Sequence, residues 1–177
     1  SSVIRVIEQI VKPTDTFYVT GGTGSMQVTS NTDLCGLNVF SANEHVGMEA
    51  RALGTYIGQE TDTETFYTLA PDSAYGRTFA REYRQALEEK GVEVVNERFV
   101  PSGFSEFSGI LEDINEKADA FGVGFGARTL LQFLNVYVKA SASDSFDTEI
   151  YAPLPEQLGL SQVGNILENE LGEVTEE

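Results

Sequence analysis

Residues 65–100 read TFYTLAPDSAYGRTFAREYRQALEEKGVEVVNERFV, and their order decides the fold. Thr65-Phe66-Tyr67-Thr68-Leu69-Ala70 is rich in β-branched and aromatic residues, which predicts a strand. Phe79, Ala80, Tyr83, Ala86 and Leu87 recur on one helical face, and Gly91 supplies a stop signal. Val92 to Val100 predicts the next strand. Strands alternating with helices of about 10–15 residues are βαβ units, and these imply a parallel sheet.

The same alternation extends in both directions. Downstream, Pro101-Ser102-Gly103 is a turn and Phe107, Ile110, Leu111 and Ile114 mark a helix. Ala118 to Phe125 is a strand, Arg128 to Val138 a helix, Glu149 to Ala152 a strand, and Leu158 to Leu171 an amphipathic segment. Upstream, Val3, Ile4, Val6, Ile7 and Ile10 predict a helix over 2–12, ended by Pro13-Thr14-Asp15. Thr16 to Thr20 and Leu37 to Phe40 are strand candidates, and Val46, Ala50, Leu53, Tyr56 and Ile57 give a helix over about 44–59. Ala140 to Asp147 is a polar surface loop, and no internal repeat is present. The expected class is α/β, a parallel sheet flanked by helices.

Composition narrows the partners. The chain has 177 residues, 41 % hydrophobic, enough for a substantial core. No apolar run approaches the roughly 18 residues that cross a membrane. Ser1-Ser2-Val3-Ile4-Arg5 is already amphipathic and no initiator Met precedes it, so the expectation is a processed or cut product without a signal peptide. Asp plus Glu is 28 against 11 Lys plus Arg, a formal charge of −17. Such a surface repels nucleic acid and anionic lipid. Acid dispersed along a folded domain fits a halophile, where salt screens self-repulsion, or an ordinary acidic protein.

The reactive inventory is sparse. Cys35 is the only cysteine, so the chain holds no internal disulfide and no multi-cysteine metal site. The only histidine, His45, reads as a solvated residue near a helix start, with Glu49 four residues on. No Ser/His/Asp set, nucleophile–base pair or complete phosphate loop is present, so catalysis, a metal and a cofactor are not expected. Gly122-x-Gly124-x-x-Ala127 fits the permissive dinucleotide fingerprint, but the next strand ends Tyr151-Ala152-Pro153 without the acid that binds ribose. Gly21 to Ser25 lacks the lysine of a phosphate-binding loop.

In an open parallel sheet, ligands sit beyond the carboxyl ends of the strands, where loops and helix N-termini gather. The loops that qualify are Thr20 to Ser25, Pro71 to Gly76, Gly124 to Ala127 and Pro153 to Glu156. Their small residues let backbone approach a ligand, and hydroxyl and N–H groups suit a carboxylate. Asp72 or Glu156 suits an ammonium group, and Tyr75 offers an apolar ring with a polar tip. Each has a plain alternative: a turn at Gly21–Gly24, packing for Tyr75, helix capping for Asp72, a solvated charge for Glu156.

The run Leu69-Ala70-Pro71-Asp72-Ser73-Ala74-Tyr75-Gly76-Arg77, the helix ending Leu87-Glu88-Glu89-Lys90-Gly91, the strand to Val100 and Glu106-Phe107-Ser108 together resemble the branched-chain amino acid binding proteins, of the type I periplasmic-binding-protein fold used by ABC importers. Glu106 stands where that pattern usually has Asp. Gly124-Phe125-Gly126 looks like the next ligand-facing loop, Gly21-Gly22-Thr23 like the small-small-Thr loop of the first lobe, and Ser1-Ser2 like the hydroxyl pair before it. The resemblance implies that Ser1 or Ser2, with Thr23 and the Gly22 turn, meets a ligand carboxylate, and that Gly21 offers its backbone to an ammonium group. It implies that Tyr75 closes over the ligand and that Phe125 or Gly126 lines the opposite wall. The acid that usually follows the last strand is Leu154 here in an ungapped match, and Glu156 reaches that place only with a shift.

Family members are about twice this length, so the resemblance also implies an incomplete first lobe: residues 1–41 as the end of a first-lobe segment, and 42–177 as the second lobe. The chain is then a fragment, a truncated product or part of a longer protein. The implied role is an extracellular or cell-surface receptor, lipid-anchored in one possible full-length form, that hands an amino acid, an amide or a similar small ligand to the membrane subunits of an ABC importer. A sensor subunit for a signalling or chemotaxis receptor, and a lobe acting only as an interaction module, are the alternatives.

Overall fold

The structure is a computed structural model and describes residues 6, 9–21, 26, 38–142, 146 and 148–153. Its strands are β1 (Tyr18–Thr20), β2 (Val39–Ser41), β3 (Thr65–Pro71), β4 (Glu93–Val100), β5 (Ala120–Val123) and β6 (Glu149–Tyr151). Its helices are α1 (Val46–Glu60), α2 (Ala74–Glu88), α3 (Ser108–Lys117) and α4 (Ala127–Ser141). Val6 and residues 9–11 are also helical. Cys35 and the segment Leu158 to Leu171 lie outside the described residues.

β1 pairs with β2, and the larger sheet runs β4-β3-β5-β6, with every pairing parallel. β3 is covered on both faces, and its side chains divide by the period of 2. Phe66 and Ala70 join Val46, Ala50, Ile57, Phe79, Tyr83 and Leu87 under α1 and α2. Tyr67 and Leu69 join Ile110, Leu111, Ile114, Leu130 and Phe133 under α3 and α4. Ala120 on β5 faces the first layer, and Phe121 and Val123 face the second. The second layer is an aromatic lattice: Phe107 stands 5.3 Å from Phe133 and 5.6 Å from Phe125, centroid to centroid. Its edge-to-face pairs are the arrangement that ring quadrupoles favour.

Close backbone approach explains three glycines. Ser73 caps α2 by accepting from Gly76 N, and the turn folds Gly76 back onto β3, so that a Cβ there would lie 2.0 Å from the Pro71 carbonyl oxygen. Gly122 and Gly124 lie under α2, where a Cβ would meet the Phe66 ring at 3.0 Å and the Phe79 ring at 2.6 Å. The spacing that resembled a dinucleotide fingerprint is therefore a packing surface for two aromatic rings. β5, at Ala120–Val123, is also shorter than the expected 118–125, and its last bond to β3 is Gly124 N donating to Leu69 O at 2.9 Å.

The opposite, N-terminal end of the sheet is tied by one carboxylate. Asp119 accepts from Glu64 N at 3.2 Å, Thr65 N at 2.9 Å and Thr65 Oγ1 at 2.8 Å, and its own N–H donates to Thr65 Oγ1 at 3.0 Å. On the α3 side, Asp113 accepts from the Tyr67 hydroxyl at 2.9 Å and pairs with Lys117.

Gly124→Ala should therefore cost about 1–3 kcal/mol through overpacking. Gly76→Ala should cost more, since its neighbour is backbone that cannot rotate away. Denaturant midpoints measure both.

A pH dependence follows from three carboxylates. Hydrogen bonds from Lys117 and Tyr67 hold Asp113 below its ordinary value, and bonds from Thr65 do the same for Asp119. Burial works to raise Glu82, but hydrogen bonds from Arg51 and Arg81 outweigh it and leave the group lowered. A carboxyl depressed by folding contributes stability above its unfolded pKa, which is lost as the pH falls through its folded pKa. Stability should thus fall between about pH 5 and pH 2, and Asp119→Asn should flatten part of that slope in an acid titration followed by circular dichroism.

Candidate functional site

The connections leaving β3 and β5 diverge. β3 leads through α2 to β4 on one side of the sheet, and β5 leads through α4 to β6 on the other. These strands are neighbours, so the topological switch point lies beyond their carboxyl ends, where open α/β sheets bind ligands in a crevice. Its rims are the start of α2 after Pro71 and the turn Gly124–Gly126 before α4.

Tyr75 is the second residue of α2 and is 39 % exposed at this edge. Its phenol is pushed up to about 12, first by desolvation of its inner side and then by the negative charge of Glu49 in the first turn of α1. It is therefore a neutral hydrogen-bonding group at physiological pH. Across the crevice, Gly126 caps α4 in extended backbone with no side-chain bond, and nothing lies within 4 Å of where its Cβ would stand. Backbone at this turn is open to close approach. Phe125 is 2 % exposed, with its ring 6.0 Å from Phe133 inside the aromatic lattice, so this wall is main chain rather than an aromatic face.

Gly21 follows β1, exposed, with nothing within 4 Å of a Cβ position. It belongs to the end of the smaller sheet, whereas Tyr75 and Gly126 stand at the starts of the helices that follow β3 and β5 of the larger one. Ser2, Gly22, Thr23 and Glu156 lie outside the described residues. Asp72 neither caps α2 nor stands ready for an ammonium group. Ser73 is the cap, and the Asp72 carboxylate is 2.6 Å from Arg77, whose guanidinium lies 4.5 Å from the Phe99 ring centroid. His45 is the N-cap of α1, accepting through Nδ1 from Met48 N at 3.3 Å. Among the described residues, no group of three or more His, Cys, Asp or Glu is arranged to hold a metal ion.

The family model described as periplasmic binding protein matches residues 1–163. The chain belongs to the periplasmic binding protein family. A search of the curated proteins gives no match. Among solved periplasmic binding proteins and their relatives, a solute binding protein of an ABC transporter from R. palustris, in complex with 4-hydroxybenzoate, has a TM-score of 0.76 at 12 % identity over 94 % of this chain and 44 % of that one. The amino acid ABC transporter substrate-binding protein from Pseudomonas fluorescens Pf-5 has a TM-score of 0.74 at 19 % identity, over 94 % of this chain and 43 % of that one. An ABC transporter substrate-binding protein from Sphaerobacter thermophilus has a TM-score of 0.73 at 22 % identity, over 85 % and 40 %. At these identities the likeness is one of fold. The chain spans about two-fifths of the length of these periplasmic-binding-protein structures.

Sequence reasoning missed two polar features of this layer. Glu49 was seen only as a neighbour of His45, although its charge acts on Tyr75. Glu82 is 3 % exposed and bonded by two arginines. Its signal was present: a carboxylate three residues after Phe79 and four before Ala86 stands on the apolar face of its own helix.

Glu49→Gln should lower the titration midpoint of Tyr75 while leaving it above the ordinary tyrosine value, because desolvation is the larger cause. Ultraviolet difference titration, with Tyr75→Phe to identify the signal, measures this.

Proposed function

We propose that this chain is part of an exported solute-binding protein that captures an amino acid or a similar small polar ligand between two lobes and delivers it to an ABC importer, without catalysing a reaction. In this reading residues 42–177 form the second lobe and residues 1–41 contribute to the first. What supports it is the switch point between β3 and β5, with the first turn of α2 following one strand and the Gly124–Gly126 turn following the other, in a chain of this family.

The division of labour follows from chemistry. Tyr75 closes over the apolar part of the ligand and donates its phenolic hydrogen, and the Gly126 turn offers backbone from the facing wall. Ser2, Gly22 and Thr23 bind the ligand carboxylate with hydroxyl and N–H donors, Gly21 meets the ammonium group through its carbonyl, and Glu156 supplies an opposite charge. Phe125 acts through its backbone and by fixing the turn from the core. Ligand bridging both lobes favours the closed state by its differential affinity for that state. The acidic surface suits export into high salt.

The test is a thermal-shift panel on this chain and on a version extended to the length of the solved relatives, at molar salt. The solutes are leucine, isoleucine, valine, amides, benzoate and 4-hydroxybenzoate. Benzoates are included because solved relatives are complexes with benzoate and 4-hydroxybenzoate. A ligand at about 100 times its dissociation constant adds roughly 2.7 kcal/mol to stability. The expected result is a shift with an amino acid in the extended protein, weakened about tenfold in affinity, or about 1.4 kcal/mol, by Tyr75→Ala. A shift with benzoates alone would replace the amino acid by an aromatic acid, and silence with every solute would overturn the solute-binding reading.

A further inference from the structure

Two arginines on neighbouring helices share one buried carboxylate. Arg51 on α1 donates through Nε to Glu82 Oε2 at 2.8 Å. Arg81 on α2 donates through Nε and Nη2 to Glu82 Oε1 at 3.0 and 2.8 Å. The Glu82 side chain is 4 % exposed, whereas those of Arg51 and Arg81 are 45 % and 62 % exposed. Among the described residues, the hydrogen-bonded cluster carries two positive charges and one negative, in a chain whose formal charge is −17. Like charges are drawn together here by a common anchor, and the surplus charge is positive.

The way the bonds are used matters more than the count. Arg51 reaches Glu82 through Nε, and both of its terminal amino groups lie outside that bond. Arg81 keeps Nη1 outside its own, and its Nη2 lies 4.0 Å from Met26 Sδ. A guanidinium presents donors in a planar fork that matches carboxylate and phosphate oxygens, and an anchored fork loses less freedom on binding than a free one. Two partly exposed forks anchored on one buried carboxylate bring together the donor chemistry that a cradle for an oxyanion needs. Lysine in either place would supply charge without that geometry. The cradle is separate from the strand-end crevice, since Arg81 follows Tyr75 by six residues on α2, about 9 Å along the helix axis.

We propose that Arg51 and Arg81, anchored by Glu82, form a binding site for the oxyanion of a small dissolved solute, a phosphate or a carboxylate. Occupancy neutralises the surplus positive charge and adds a tie between α1 and α2. The site is independent of which ligand enters the crevice.

The experiment titrates the full chain with inorganic phosphate, and separately with succinate, at constant ionic strength. Thermal shift and, for phosphate, phosphorus line width are the readouts. The expected result is a saturable response that weakens at least tenfold in Arg51→Lys and in Arg81→Lys and is unchanged in Lys90→Gln. Lysine keeps a cation beside Glu82, so circular dichroism can separate loss of the site from loss of the fold. A stronger response to phosphate assigns a phosphate site, and an equal or stronger response to succinate assigns a carboxylate-accepting one. Absence of a saturable response to both anions, or an undiminished response in both lysine variants, overturns the proposal.

Discussion

The covering of β3 on both faces is the constraint from which the rest of the molecule follows. Phe66, Tyr67, Thr68, Leu69 and Ala70 are all at 0 % exposure, so every second side chain must find a partner in a different layer. Phe66 and Ala70 demand α1 and α2, and Tyr67 and Leu69 demand α3 and α4. Placing helices on both faces sends the β3 and β5 connections in opposite directions. That divergence opens the crevice at their carboxyl ends. The place of the candidate site is thus a by-product of how a two-sided strand is buried.

α2 takes its precise seat from the glycines beneath it. Phe79 rests on Gly124 and Tyr83 comes down beside Gly122, while Gly76 lets the helix start directly against Pro71. Tyr75 is carried on that first turn, so its height above the sheet is set by contacts that never touch a ligand. Desolvation and the charge of Glu49 push its already neutral hydroxyl further from ionisation.

Much of this was legible in the sequence because the signals were local. The β-branched and aromatic run at 65–70, the apolar face of Phe79, Tyr83 and Leu87 and the stop at Gly91 all correspond to observed boundaries, and Gly91 has a φ of 89°. The turn at Gly103, with a φ of 80°, was equally plain. Tertiary facts were not readable. Phe125 belongs to a motif whose resemblance implied a ligand-facing wall, yet which way its ring turns depends on Phe107 and Phe133, from other helical segments. Gly122 and Gly124 carry the spacing of a phosphate loop, and only the rings above them reveal a packing role. Asp72 read as a free acid because Arg77, five residues on, was read separately.

The Asp119 knot has a further consequence. It binds Glu64 and Thr65 at the amino ends of β3 and β5, the edge opposite the crevice. Strand register is therefore secured at the edge away from the candidate site. Substitutions in the loops at the other edge leave that anchorage untouched. The loops at the switch-point edge can then change while the sheet keeps its alignment, so a lineage built on this sheet can vary that edge without re-solving the problem of folding.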